Sequence, residues 1–332
     1  MSISRPTIHD VAAKAGVSKS LVSLALSGSD KVSPESKARI LKAADAIGYR
    51  PNAAARSLAA RKSRTVGILV LDLHNPVFAE ILDGVQSQLR ENGFSSMLVA
   101  AGKDPALEKS EIDTMLQFQI DGLILISYRL SAKELKELAR EVPIVTVTRD
   151  DIQLPSMDTV SNDDVAGAEL AVNYLVSLGH SKIVCLNGGD TAVSHARSSG
   201  YQRAMEKHGL QSKAKIVTGG LTDTAGYSAA TEALKLKPTA LFVVNDIAAL
   251  GAIAAIEEKG LRVPEDISVI GYDGIRLGGL RSINLTSVAQ PLAELGRISA
   301  QHLLERIENP ALKSRRTTVA SKLIVRGTTQ AI

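Results

Sequence analysis

Residues 7–26, TIHDVAAKAGVSKSLVSLAL, decide how the first part of this chain folds. Apolar residues recur at helical intervals on both sides of Gly16, so the stretch predicts two short helices joined by a glycine-containing turn. Thr7 and Asp10 have the spacing of a capping box, and Ser18 is suited to cap the second helix. The stretch therefore predicts a helix-turn-helix.

The second of these helices leaves one polar face free. Hydroxyl groups and a lysine near a helix N-terminus suit phosphate oxygens and base edges in a major groove, although many small helical hairpins bind no nucleic acid. Leu24 either meets a thymine methyl group or packs in the core, and both readings stay open. The candidate DNA-binding residues of this stretch are Thr7, Ser18, Lys19, Ser20, Ser23 and Leu24.

The charge is distributed unevenly along the chain, which contains 39 Lys/Arg and 35 Asp/Glu. Residues 1–64 contain twelve of the basic and four of the acidic residues, a balance of +8, so the remainder carries a balance of −4. Because the basic part coincides with the helix-turn-helix pattern, two independent signals indicate a polyanionic partner.

A third helix and a linker follow the helix-turn-helix. Ser33 and Pro34 form a capped helix start, and the helical pattern continues to Gly48. The linker RPNAAARSLAA, residues 50–60, has high helix propensity but is too short to be a stable helix alone in water. We expect it to become ordered on a partner.

Composition excludes several classes of protein. There is no run of about 18 apolar residues, and the N-terminus lacks the apolar stretch of a signal peptide, so we predict a cytoplasmic protein without a membrane segment. The lone Cys185 excludes an internal disulfide and fits a buried strand in a reducing compartment. Hydrolase, dinucleotide and P-loop motifs are missing, and no histidines have metal-ligand spacing. We assign no catalytic residue, cofactor or metal.

From Thr65 onward, strand patterns alternate with helix patterns. The first series contains the strands TVGILVLD, SSMLVAA, LILIS and IVTV, and a second series begins at Asp164 with KIVCL, ALFVV and ISVIGY as its main strands. This alternation predicts an α/β core of two doubly wound parallel-sheet subdomains with helices on both faces.

The loops after these strands are the candidate ligand site, since ligands of open α/β sheets bind beyond the carboxyl ends of the strands. Their polar side chains suit a polyhydroxylated ring, because each hydroxyl needs a partner when it leaves water. The first series contributes His74, Asn75, Phe78, Ser127, Tyr128, Thr148, Arg149 and Asp150. The second contributes Arg197, Asn245, Asp246, Asp273 and Gln290.

The runs GVSKSLVSLALSG, RPNAAARSLAA and VGILVLDLHNP resemble the lactose-repressor (LacI/GalR) family of bacterial transcription regulators, and the resemblance extends to LIVRGTT near the end. It implies that the second helix enters the major groove and that the linker becomes a hinge helix in the minor groove. Leu58 occupies the position of a leucine that wedges open a central base step, so part of the sequence preference would be deformability. The linker residues implicated are Asn52, Ala55, Arg56 and Leu58.

The recognition helix departs from the family pattern. Leu21 and Leu24 stand where threonine and arginine are common, and Ser27 stands where asparagine is frequent. A missing arginine removes a bidentate guanine contact, a discrimination of about 1–3 kcal/mol. The sequence therefore does not predict the identity of the outer bases of the operator.

The resemblance also implies a core like a periplasmic sugar-binding protein, with the ligand in the cleft between two halves. Arg197 and Asp273 match the family's effector-binding arginine and cleft aspartate. Asn245 and Asp246 match its Asn-Asp pair, of which we expect one to face the ligand and one to cap the next helix. Because the chain has no tryptophan, stacking on the ligand falls to Phe78, Tyr128 or Phe242.

We therefore predict three parts: a helix-turn-helix domain (1–50), a hinge and linker (51–64) and an effector-binding core (65–332). Within the core we expect an N-subdomain of about 65–161 plus 291–320 and a C-subdomain of about 162–290 plus 321–332. We predict that the protein is a repressor that binds a pseudo-palindromic operator as a homodimer and responds to an effector. The predicted effector is a sugar or cyclic polyol, with a phosphorylated sugar or a purine base as alternatives. Other hypotheses are a transport-associated sugar-binding protein and an enzyme on the same scaffold.

Overall fold

The structure is a computed structural model that describes residues 6–26, 30–50, 62–102 and 104–332. The chain divides into two compact units, Met1–Ser63 and Arg64–Ile332. Within the described ranges, none of the helices combines the length and the apolar character that crossing a bilayer requires.

The described part of the first unit contains three helices: α1 (Ile8–Ala15), α2 (Lys19–Leu26) and α3 (Pro34–Ala46). Thr7 and Asp10 close a capping box at the start of α1, and Gly16 ends that helix with a left-handed φ of 65°. Each helix contributes one completely buried side chain to a shared core: Val11, Val22 and Ile40. The predicted helix-turn-helix and its third helix are confirmed.

The second unit contains twelve strands in its described residues. They are β1 (Thr65–Val70), β2 (Ser95–Ala100), β3 (Gly122–Ile126), β4 (Ile144–Val147), β5 (Met157–Asn162), β6 (Ile183–Asn187), β7 (Lys215–Thr218), β8 (Ala240–Val243), β9 (Ser268–Asp273), β10 (Thr286–Ala289), β11 (Arg316–Val319) and β12 (Lys322–Ile324).

Eight helices pack around these strands. They are α4 (Pro76–Glu91), α5 (Pro105–Gln117), α6 (Ala132–Leu138), α7 (Asp164–Ser177), α8 (Ala192–Lys207), α9 (Asp223–Leu234), α10 (Asp246–Glu258) and α11 (Leu292–Glu308). Short 3₁₀ turns lie at Gln211–Lys213 and Arg276–Gly279.

The strands form two six-stranded sheets. Sheet A has the order β11-β5-β4-β3-β1-β2, and sheet B has the order β12-β10-β9-β8-β6-β7. Every pairing is parallel except that of β10 with β12. Separate buried apolar clusters cover the two faces of each sheet, as expected for parallel strands with helices on both sides. The predicted fold class is confirmed.

Strand β5 is not predicted by the sequence, although all six of its residues are buried. Its polar side chains, which interrupt the apolar pattern, find partners inside the fold. Asp158 accepts hydrogen bonds from the guanidinium groups of Arg306 and Arg315, and the hydroxyls of Thr146 and Thr159 are 3.1 Å apart. A buried strand can therefore carry polar residues when each of them is paired.

The chain passes between the sheets three times: after β5, after β10 and after β11. The helix α11 lies within the second of these passages and packs on α4 at two glycines. A Cβ atom on Gly84 would lie 1.9 Å from the carbonyl oxygen of Ala293, and one on Gly296 would lie 2.0 Å from that of Ile81. Both contacts need glycine because the two helix backbones touch.

Candidate functional site

The exposed face of α2 is the candidate DNA-reading surface of the first unit. Ser18 caps the helix, since its hydroxyl accepts a hydrogen bond from the amide of Leu21 at 3.2 Å. Leu21 is half-buried against the core, whereas Leu24 is 39% exposed. The other predicted residues of this helix are exposed as well: Lys19, Ser20 and Ser23.

Thr7 lies at the start of α1 rather than on α2. Its amide and its hydroxyl both donate to Oδ2 of Asp10, at 2.7 and 2.8 Å. These hydrogen bonds lower the pKa of Asp10. The hinge residues Asn52, Ala55, Arg56 and Leu58, together with Ser27, lie outside the described residues.

Arg197 is the centre of a buried cluster in the second unit. It lies on α8, with its side chain 5% exposed. Its Nε donates to Oδ1 of Asp164 at 2.8 Å, and its Nη1 donates to Oδ1 of Asp273 at 3.0 Å and to the carbonyl of Val244 at 2.5 Å. The guanidinium carbon also lies 3.7 Å from the ring centroid of Tyr272. Burial disfavours the charge, but the two carboxylates outweigh it and raise the pKa of Arg197.

Asp273 ends strand β9 beside this arginine. Its Oδ1 also accepts from Nε2 of Gln290 at 2.7 Å, so three predicted effector residues are joined directly: Arg197, Asp273 and Gln290. Burial raises the pKa of Asp273 to about 6, although Arg197 acts in the opposite direction.

Asp246 adds a third carboxyl group to this region. It is completely buried and accepts from the hydroxyl of Ser287 at 2.6 Å and from the amide of Ile275 at 2.8 Å. Burial, followed by the charge of Asp273, raises the pKa of Asp246 to about 7. The guanidinium of Arg197 therefore pairs with two carboxylates, those of Asp164 and Asp273, and the carboxyl group of Asp246 lies near enough to Asp273 for their charges to interact.

Asn245 is the residue of the Asn-Asp pair that caps a helix, α10. Its side-chain oxygen accepts from the amide of Ala248 at 3.1 Å, and its amide nitrogen donates to the carbonyl of Leu221 at 2.9 Å. The residue is 2% exposed. A contact with a ligand would use the second hydrogen of that amide or the second lone pair of its oxygen.

The predicted residues after β1 have three different surroundings. The side chain of His74 is 98% exposed and its Nδ1 lies 3.1 Å from Oδ1 of Asp72. Asn75 caps α4 by accepting from the amide of Val77. Phe78 is half-buried and packs in the apolar cluster that also contains Ile275, two residues beyond Asp273.

Three of the predicted effector residues have an unusual backbone. Ser127, Thr148 and Asp273 have φ values of 58°, 73° and 116°, in the region that favours glycine. Each follows or ends a buried strand, and the amide of Ser127 donates to the carbonyl of Val147. Backbone strain of this kind concentrates at binding sites, where the surrounding fold holds it in place.

Two of the three predicted stacking residues cannot present a face to a ligand. Tyr128 is 2% exposed and lies in the outer core of sheet A, with Arg149 over its ring at 4.5 Å. Phe242 is completely buried in the core of sheet B. Of the three alternatives, burial therefore favours Phe78, because the other two aromatic rings fill the space between strands and helices.

The sequence does not single out Asp164 or Asn162 as site residues. Asp164 looks like an ordinary first-turn acid of α7, yet it pairs with Arg197. Asn162 donates to the hydroxyl of Tyr272 at 2.7 Å, which links the end of β5 in sheet A to β9 in sheet B. In the sequence, Asn162 and Asp164 show only that they are polar and lie near the end of a strand, and such residues are common in loops.

Comparison with known proteins assigns both units. The family model "Bacterial regulatory proteins, lacI family" matches residues 7–52, and "Periplasmic binding proteins and sugar binding domain of LacI family" matches residues 63–326. The chain belongs to the LacI family. As a family member it is a DNA-binding transcription regulator under the control of a small-molecule effector, and not an enzyme.

Individual relatives agree with this assignment. The HTH-type transcriptional repressor CytR of Escherichia coli K12 is 35% identical over 98% of this chain and 97% of its own length. The crystal structure of the lac repressor dimer bound to operator and the anti-inducer ONPF has a TM-score of 0.88 and 29% identity, covering 99% of this chain and 100% of that chain. A LacI family regulator from Enterococcus faecalis V583 with bound ribose has a TM-score of 0.74 and 30% identity, covering 81% of this chain and 99% of that chain.

Proposed function

We propose that this LacI family member is a repressor whose operator affinity changes when an uncharged, hydroxyl-rich ring binds between sheets A and B. The observation that carries the proposal is the joined set Arg197, Asp273 and Gln290 at the carboxyl ends of the strands of sheet B. The effector-binding residues we propose with them are His74, Asn75, Phe78, Ser127, Thr148 and Asn245.

The hydrogen-bonding groups of this set suit neighbouring hydroxyls on a sugar ring. Within the ranges that the structure describes, Nη2 of Arg197 donates no hydrogen bond and Oδ2 of Asp273 accepts none. One hydroxyl can donate to the carboxylate while its neighbour accepts from the guanidinium. Gln290 donates to the same carboxylate oxygen, Oδ1, as Arg197, so the pair is oriented before the ligand arrives.

The charge of the cluster distinguishes between classes of effector. Asp164 and Asp273 both pair with one guanidinium, and Asp246 adds a third carboxyl group beside Asp273, so carboxylates outnumber the guanidinium even when Asp246 is protonated. A phosphate group would be repelled here, because like charges in a buried site interact strongly. We therefore favour a neutral sugar or polyol over a phosphorylated sugar, and the relative with bound ribose supports this class.

We further propose that the protein acts as a homodimer in the bacterial cytoplasm, where its operator lies. A single helix α2 offers few base contacts, whereas a twofold dimer presents two of them to a pseudo-palindromic site. The relative crystallised as a dimer on operator DNA supports this arrangement. The domain division we propose is 1–50, 51–64 and 65–332, with the core split between the two sheets.

Two binding experiments test the proposal. Selection of genomic fragments on the full-length protein, followed by footprinting, should return a pseudo-palindrome with half-sites about one helical turn apart. Titration of the same protein with neutral pentoses, hexoses and polyols and with their phosphate esters should give saturable heats only for neutral members. Tighter binding of a phosphate ester would overturn the effector class, while sequence-indifferent DNA binding would overturn the repressor function.

Variants then assign the site. Arg197→Ala should abolish the effector response while operator affinity without effector stays within about twofold of the parent. Asp190→Ala is the matched control, because this side chain is 98% exposed in the loop after β6 and is not a proposed effector residue. If the two variants bind effector equally well, the buried cluster does not form the site.

A further inference from the structure

A small basic pocket lies at the amino ends of the strands in sheet B, at the opposite edge from Asp273. Its volume is about 180 Å³. Lys182 directly precedes β6, Lys215 begins β7, and Pro238 lies two residues before β8. The complete lining is Lys182, Val184, Lys213, Lys215, Leu236 and Pro238. The pocket therefore belongs to a different part of the second unit from the effector residues.

The floor of the pocket is apolar and one large apolar side chain is exposed at its margin. Val184 and Pro238 are buried, whereas Leu236 is 47% exposed. An exposed leucine alone is common on protein surfaces and needs no explanation. Here it adjoins a concave surface of the size of one large side chain, and basic groups surround it.

The rim of the pocket is strongly positive. Lys182, Lys213 and Lys215 are all exposed, and within the described part of the chain none of them has a carboxylate within 4 Å. Nζ of Lys213 donates only to the hydroxyl of Ser181, at 3.1 Å. Lys235 and Lys237 flank the exposed leucine in sequence, and of these Lys235 pairs with Glu232.

This concentration of lysines contrasts with the remainder of the same unit. Residues 65–332 carry four more acidic than basic side chains, so a uniform charge distribution would not produce a basic face. Positive groups gathered without acidic neighbours raise the local electrostatic potential and attract anionic partners. An apolar floor within a basic rim is complementary to carboxylates on either side of one apolar side chain.

We infer that this pocket is a docking site for an acidic segment of a partner protein. The segment places one apolar side chain against Leu236 and Pro238 and its carboxylates against Lys182, Lys213 and Lys215. A nucleic acid would satisfy the lysines but has no apolar side chain to fill the floor. The inference does not depend on the identity of the effector, since the pocket and the effector residues lie at opposite edges of sheet B.

A synthetic peptide with one leucine between two short runs of glutamate is the probe for this site. Its binding to the full-length protein is measured by fluorescence anisotropy at about 100 mM salt, where exposed charges still interact over about 10 Å. The combined variant Lys182→Gln, Lys213→Gln and Lys215→Gln should weaken binding at least about tenfold. The matched control, Lys109→Gln, Lys133→Gln and Lys136→Gln, removes three exposed lysines from α5 and α6 and should change binding less than about twofold.

A second comparison tests the apolar part of the contact. Replacing the peptide's leucine by serine should weaken binding to the parent protein, and Leu236→Ser should weaken binding of the original peptide. Combining both changes should add little further loss if the two leucines touch. Fully additive losses would remove the apolar contact.

Three results would overturn the inference outright. The first is the lack of saturable peptide binding, and the second is an equal loss in both lysine variants. The third is displacement of the peptide by a random DNA duplex, which would indicate that the probe occupies a nucleic-acid surface instead.

Discussion

The carboxylate of Asp164 lies 2.8 Å from Nε of Arg197, and the two side chains are 9% and 5% exposed. The contact joins the first turn of α7 to the second turn of α8. Nη1 of the same guanidinium contacts Asp273, so Asp164 holds the arginine through a different nitrogen, Nε. Asp164 is thus a positioning residue of the effector site.

Replacing Asp164 by Asn should destabilise the second unit by about 3–5 kcal/mol, because removal of one charge of a buried ion pair leaves the other charge without its partner. Chemical denaturation followed by circular dichroism measures this change. Asp190→Asn is the matched control, because the side chain of Asp190 is 98% exposed and forms its ion pair with His195 at the surface. Equal stability of the two variants would show that the buried pair is not needed for folding.

Effector affinity should depend on pH through Asp273. The carboxylate form accepts a hydroxyl hydrogen, and the pKa of Asp273 is raised to about 6. Below that pH the group becomes protonated, so affinity should fall by up to about tenfold per pH unit. Isothermal titration with the effector between pH 5 and pH 8 measures the slope. A flat profile would exclude the ionised carboxylate from binding.

The contribution of His180 to the stability of the protein should be lost as the pH drops below the ordinary pKa of histidine. This side chain is 1% exposed, and its ring nitrogens contact Thr239, Ser268 and the carbonyl of Gln330. Burial lowers the pKa of His180 below its ordinary value of 6.5. The unfolded chain therefore binds the proton more readily, and stability present above pH 6.5 is lost as pH decreases.

The measurement for this effect is the unfolding free energy of the parent protein and of His180→Gln at pH 7.5 and at pH 5.5. The variant should be less stable than the parent at pH 7.5, and the difference between the two proteins should be smaller at pH 5.5. Asp246 acts in the opposite sense: its pKa is raised from 3.8 to about 7, so its contribution is present at low pH and lost as pH rises through 7. An unchanged pH dependence in the variant would assign the effect to other groups.

Leu21 and Leu24 should have different roles despite their shared helix. Leu21 packs against the helical core, so Leu21→Ala should lower the melting temperature of the first unit. Leu24 is 39% exposed, so Leu24→Ala should leave that temperature nearly unchanged and weaken binding to the selected operator. Calorimetry and gel-shift titration separate the two effects. A large loss of stability in the Leu24 variant would favour the core reading instead.

The fold was largely predictable because apolar periodicity decides which segments are buried. The capping pair Thr7 and Asp10 and the buried runs of β1, β3 and β6 carry that signal directly. Strand β5 lacks it, since its burial depends on arginines more than 140 residues away, among them Arg306. Spacing along the chain contains no information about such a partner.

The candidate site was predictable where residues follow strands in sequence. Asp273 and Gln290 follow β9 and β10, and sequence order places both at one edge of sheet B. The partnership of Asp164 with Arg197 joins two different helices across 33 positions, and only the folded chain reveals it. Which aromatic residue can stack on a ligand likewise depends on side-chain burial, which removes Tyr128 and Phe242.

The three passages of the chain between the sheets have a consequence for synthesis on the ribosome. Sheet A receives its edge strand from Arg316–Val319, and sheet B receives its own from Lys322–Ile324. Neither sheet is finished until these two segments have left the exit tunnel. The nascent chain must therefore hold two open sheet edges until residues 316–324 emerge, and a premature stop codon anywhere before residue 316 would leave both halves of the core incomplete at once.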